Sequence, residues 1–212
     1  MTLNSNYLTE VKAVSHSDTT AGTWAEVAST VNDALMQAAP VVITVTVGPR
    51  EMLQIDIPRY TFEWPRPLDE FPSDASGLSI WTQAAADPSP RANNLEGLLW
   101  TLGNNAFQGR PASWLAEGKR VRLARWPNMP RHMHTMHQMY MLAVLGNAYF
   151  TAAELAAAAK STETEAQDLI NALSLMQLLK YSSEAPPVII PVAEEPKPNQ
   201  GLFARLRARL GR

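Results

Sequence analysis

The sequence predicts an α+β protein: an N-terminal mixed α/β unit, then a small helical module, then a flexible tail. Three observations carry that reading. The β-branched run VVITVTV at 41–47 is followed across Gly48-Pro49 by the alternating MLQIDI at 52–57, which is the pattern of a hairpin. Stretches with helical spacing of apolar residues precede the hairpin and dominate the chain after residue 133. The final residues, GLFARLRARLGR, combine four arginines with a short apolar stripe on a chain that is otherwise acidic.

Taken in order, residues 1–22 form a polar opening rich in Ser and Thr. TWAEVASTVNDALMQAA then places Trp24, Val27, Val31 and Leu35 at helical spacing, with Thr23 and Glu26 in capping-box positions. After the hairpin, residues 58–95 are full of prolines yet carry Tyr60, Phe62, Trp64, Phe71 and Trp81. A disordered linker would lack such residues, so this segment is expected to be an ordered cover held by aromatic anchors. LEGLLWTLGNNAF at 95–107 resumes a helix, with Gly103 and Asn104 suited to its end. RVRLARW at 120–126 alternates as a strand with one wet face. These elements define an α/β domain over 23–130.

Residues 131–183 read as a compact helical module. TMHQMYMLAVLGNA, TAAELAAAAK and TETEAQDLINALSLMQLLKY each have helical character, and Thr151 with Glu154 and Thr162 with Glu165 are capping boxes that start two of them. With TAAELAAAAKSTETEAQDLINALSLMQLLKY at its centre, the segment from about 135 to 183 resembles a helix-turn-helix or winged-helix module. That resemblance implies a third helix that would approach a DNA groove. Here the helix opens with Glu163 and Glu165 and continues through Asp168, with Lys180 only at its far end. Those carboxylates repel phosphate, so the resemblance speaks for shape and not for nucleic-acid binding.

Composition narrows the classes further. The net charge is −2. Residues 194–212 hold five basic side chains against Glu194 and Glu195, giving +3 there and leaving −5 for the rest. A body of that sign does not attract a phosphate backbone. With no cysteine, disulfides, thiolate nucleophiles and Cys-based metal sites are excluded, and a reducing compartment is suited. No stretch reaches the length of a membrane span and the start lacks the regions of a signal peptide, so the cytoplasm is expected. There is no GxSxG elbow, no GxGxxG loop and no GxxxxGK[ST] loop, and Asp69 and Glu70 have no evident catalytic partner. The histidine run RHMHTMH lacks the spacing of a recognised metal site. No catalytic residue, cofactor or metal is therefore expected.

Two segments are candidates for binding. Arg110, Arg120, Arg122 and Arg125, with Trp114 and Trp126, would offer an anionic ligand or acidic partner a patch of guanidinium and aromatic groups, because Arg120 and Arg122 share one strand face. The competing reading is a wet strand face whose arginines balance nearby carboxylates. In the tail at 201–212, Leu202, Phe203, Leu206 and Leu210 line up beside Arg205 and Arg209, a motif too short to hold a helix alone and suited to docking on a partner or, weakly, on an anionic membrane. The Pro-rich linker at 184–200 supplies reach. Together these point to a non-enzymatic cytoplasmic adaptor or regulatory protein whose partner is another protein, a homodimer being compatible. The alternatives are a dimeric DNA-binding transcriptional regulator, or an anion- or nucleotide-sensing protein using residues 110–125.

Overall fold

Thr23 begins the first helix as its spacing predicts. Its hydroxyl accepts the Glu26 N–H at 3.3 Å while the Glu26 carboxylate accepts the Thr23 N–H at 2.9 Å. The computed structural model describes residues 22–85, 91–128 and 134–182. The polar opening before residue 22, the linker and the tail lie outside those residues. Helix α1 (Trp24–Met36) buries Trp24, Val27, Ala28 and Val31, the stripe expected from the sequence.

The hairpin is present as β1 (Val41–Val47) and β2 (Glu51–Asp56). Ile43 faces Ile55 and Val45 faces Leu53 across it, all fully buried. Such cross-strand apolar pairs set the register, because a slip of one residue would turn them to the wrong side. Strands β3 (Thr61–Glu63), β4 (Ser79–Ala84) and β5 (Asn93–Asn94) complete an antiparallel sheet of order β4-β1-β2-β3-β5.

These last strands come from the segment read as a covering loop. They are short and separated by prolines, so the period-2 signal never builds up along them. The aromatic anchoring itself is present: Phe62 and Trp64 are buried, and the Phe71 ring lies 4.4 Å from that of Trp24 between centroids. The Trp24 indole N–H also donates to the Pro72 carbonyl. Trp81 departs from the expectation, standing half-exposed on the edge strand β4.

Helix α2 (Leu95–Asn105) is capped by Asn94, whose side chain accepts the Glu96 N–H at 2.8 Å. Gly103 does not end this helix. It lies within it, where a Cβ would come 2.3 Å from Ala172 Cα. Ala172 belongs to α5 (Glu163–Leu175), so the glycine allows two helix backbones to meet.

The expected helical module consists of α3 (Met136–Asn147), α4 (Ala152–Ala159) and α5, each begun by a capping box, Thr135 with Gln138 being the third. Strand pairing crosses the expected boundary near residue 130. Strand β6 (Arg120–Leu123), read as part of the N-terminal unit, pairs with β7 (Leu179–Ser182) and bridges to Phe150 on its other edge. The strand after α5 thus finds its partner upstream of the helices. One hydrophobic core runs continuously from Trp24 to Leu178, through both units.

A polar seam fastens α5 to the loop after α2. Asn171 is fully buried; its amide oxygen accepts the Ala112 N–H at 3.1 Å and its NH2 donates to the Arg110 carbonyl at 2.9 Å. The Trp114 indole donates to Ser174 at 2.8 Å. Two outcomes are expected in urea unfolding. Gly103→Ala should lose about 3 kcal/mol, since overpacking against a backbone outweighs a helix-propensity gain of roughly 1 kcal/mol. Asn171→Leu should lose a similar amount, about 3 kcal/mol, by orphaning a buried donor and acceptor.

Candidate functional site: an acidic cleft along α2

Helix α2 has two faces. Leu98, Leu99 and Leu102 are buried in the core, while Glu96, Trp100 and Asn104, with Gly97, Thr101 and Asn105 beside them, line a cleft of about 1550 Å3. The i, i+4, i+8 spacing puts these residues on one stripe. The loop after β3 contributes Arg66, Leu68, Asp69 and Phe71 to the lining, and the starts of α3 and α5 contribute His137, Gln138, Glu165 and Asp168.

The apolar floor is set by tertiary packing, with Phe62, Trp100 and Met141 almost wholly buried beneath it. Polar side chains share the lining. Asn104 and Asn105 turn their NH2 groups back to the carbonyls of Trp100 and Thr101, at 2.8 and 2.7 Å. The Asn104 oxygen receives Gln138 Nε2 at 3.4 Å.

Four carboxylates reach the cleft from three different elements: Asp69, Glu96, Glu165 and Asp168. Arg66 lines it as well, but is paired with Glu51. Glu96 is the most buried, at 9% exposure, and has Arg125 at 3.6 Å. Tyr60, near both, has its phenol pushed above the ordinary value by burial and then by the Glu96 charge, with Arg125 opposing. Glu165 is held below the usual carboxylate range by the Thr162 N–H and hydroxyl, with His137 adding attraction. Asp168 is displaced the other way: burial raises its pKa, although the Gly109 N–H donates to it at 2.8 Å. Gly109 itself has φ +78° and would bring a Cβ within 2.7 Å of Thr164, so the donor is delivered by a backbone that only glycine fits here.

The arginines expected to form a patch are engaged separately. Arg120 and Arg122 do project from the same face of β6, with Val121 and Leu123 buried behind them. Arg120 pairs with Glu154 of α4, and Arg122 donates to the Gly146 carbonyl at 3.3 Å. Arg125 reaches Glu96 instead. Arg110 is used through its backbone carbonyl. Trp114 packs edge-on against Phe107 at 5.5 Å while hydrogen-bonded to Ser174, and Trp126 remains 52% exposed. Of these arginines, Arg120 and Arg125 face carboxylates and Arg122 a carbonyl. The tail candidates Leu202, Phe203, Arg205, Leu206, Arg209 and Leu210 lie outside the described residues.

Among the described residues, no group of three or more His, Asp or Glu side chains is placed to hold a metal ion, and no helix is long and apolar enough to cross a membrane. His134 has a buried ring nitrogen without a hydrogen-bond partner, while His137 turns to the cleft. In the sequence these carboxylates stand apart, Asp69 in a proline-rich loop and Glu96, Glu165 and Asp168 on helices, and no local pattern joins them. The signal that unites part of the site is the polar stripe of α2 within an otherwise apolar helix. Comparison with protein-family models, curated proteins and solved structures found no match.

Asp168 yields a pH prediction. A carboxyl whose pKa rises on folding adds stability below its unfolded-state value and loses it as pH climbs through the folded one. At neutral pH its ionised form is therefore a net cost. Asp168→Asn, which keeps an oxygen for the Gly109 N–H, should raise the melting temperature at about pH 7, with the gain fading towards about pH 3. Thermal denaturation at both values checks this, and a lower melting temperature at neutral pH would contradict it.

Proposed function

We propose that this protein is a non-enzymatic adaptor or regulatory module, and that the cleft along α2 receives a basic polypeptide segment from a protein partner. The observation that carries the reading is that Asp69, Glu96, Glu165 and Asp168, from three elements, line one cleft together with the buried Phe62, Trp100 and Met141. An apolar floor with a charged rim is the anatomy of a protein-recognition site. Carboxylates at such a rim favour arginine, whose planar fork matches them and whose approach they accelerate.

The alternatives find less support. A reader of DNA would present basic or amide side chains from the exposed start of α5, yet that turn carries Glu163 and Glu165. An anion sensor would need the arginines of 110–125 to converge, and they point to different partners. The cytoplasm is the compartment proposed, because a chain without cysteine suits a reducing environment.

The test is a fluorescence titration with a labelled peptide of alternating arginine and leucine. The chain used carries serine at Arg205, Arg207, Arg209 and Arg212, so that its own basic residues do not compete. Binding should weaken with salt and fall severalfold in Asp69→Asn/Glu165→Gln, because both carboxylates are exposed and their attraction is screened. A glutamate-for-arginine peptide that binds equally well would refute the reading.

A further inference from the structure

The structure has an acidic cleft and the sequence has a basic amphipathic end, and we infer that they are partners: residues 201–212 of this chain occupy its own cleft. The inference rests on the reading of the cleft as a site for basic polypeptide, and it names the first occupant. The consequence is autoinhibition, in which an outside partner must displace the tail to bind.

Charge complementarity is the first argument. The −2 of the whole chain conceals a +3 end and a −5 remainder, and the negative part gathers Asp69, Glu96, Glu165 and Asp168 into one concavity. Arg205, Arg207 and Arg209 alternate with Leu206, Ala208 and Leu210. The segment is too short to form a stable helix alone, but it carries both chemistries that the cleft presents, guanidinium for the rim and apolar side chains for the floor.

Reach is the second argument. β7 ends at Ser182, and residues 183–200 separate it from the basic motif. Fully extended, such a stretch spans up to roughly 60 Å at ~3.3 Å per residue, while a body of this length has a radius of gyration of about 15 Å. The motif can therefore arrive at the cleft without moving any strand or helix.

Tethering is the third. A linker that spans the distance holds its motif at an effective concentration on the order of 1 mM. An intrinsic dissociation constant of about 0.1 mM then suffices to close roughly nine molecules in ten. A modest contact made by a few arginines is enough for self-occupancy, and it stays weak enough for a better partner to displace.

The absence of cysteine makes the test direct. Gly211→Cys in the full chain provides one attachment point for a nitroxide, and the relaxation it causes is read on the Trp100 indole and on the side-chain amides of Asn104 and Gln138. These signals should lose most of their intensity in the otherwise unaltered chain. They should recover in Asp69→Asn/Glu165→Gln, in the chain with serine for the four tail arginines, and at about 0.5 M salt, where screening lengths shrink to ~4 Å. Gln is as good a capping-box residue as Glu, so the double variant keeps the start of α5, and its remaining spectrum reports that the fold is intact.

Undiminished cleft signals in the labelled full chain would overturn the inference. If the arginine–leucine peptide still binds the serine-substituted chain, the cleft reading survives and only self-occupancy fails. If neither effect is seen, both fall. Broadening that appears only when labelled chain is mixed with a separate isotope-enriched chain would assign the tail to a second copy and likewise overturn the intramolecular contact.

Discussion

The close approach of α2 and α5 is the constraint on which the rest depends. With Gly103 set against the backbone of Ala172, the helices meet at a distance that no side chain at that position would permit. That approach brings Asn171, Asp168 and Ser174 within reach of the loop from Gly109 to Trp114, where each finds a hydrogen-bond partner. The antiparallel sheet and the helical module are consequently parts of one core.

The cleft follows from that packing. Because α2 is committed to α5 and the core on its leucine side, its other face is left to line a concavity, to which residues at the starts of α3 and α5 also contribute. Carboxylates that would be ordinary at the surface are thereby drawn together. Asp168 bears the clearest mark, its proton held more tightly because burial disfavours the charge.

The arginine-bearing segment shows how local alternation differs from function. Its period-2 pattern correctly separates Val121 and Leu123 from Arg120 and Arg122. What the arginines meet depends on elements distant in the chain: Glu154 on α4 for Arg120, Gly146 at the end of α3 for Arg122, and Glu96 on α2 for Arg125. They are fasteners between elements, each one binding a different neighbour. The same holds for Trp114, whose indole serves Ser174 and the Phe107 edge.

What the sequence by itself determined was what acts within a few residues along the chain. The capping boxes at Thr23, Thr151 and Thr162, the hairpin around Gly48-Pro49 and the alternation of β6 were all legible, because caps, turns and periodicity involve neighbours in sequence. The α+β class followed from them. The tertiary structure alone decided that β6 belongs with β7, that Gly103 is a helix contact and not a helix end, and that three short strands lie within the proline-rich segment. It alone assembled Asp69, Glu96, Glu165 and Asp168 into one cleft. Those outcomes depend on contacts between residues tens of positions apart, whose strength comes from burial and backbone approach in three dimensions, and no local pattern records them.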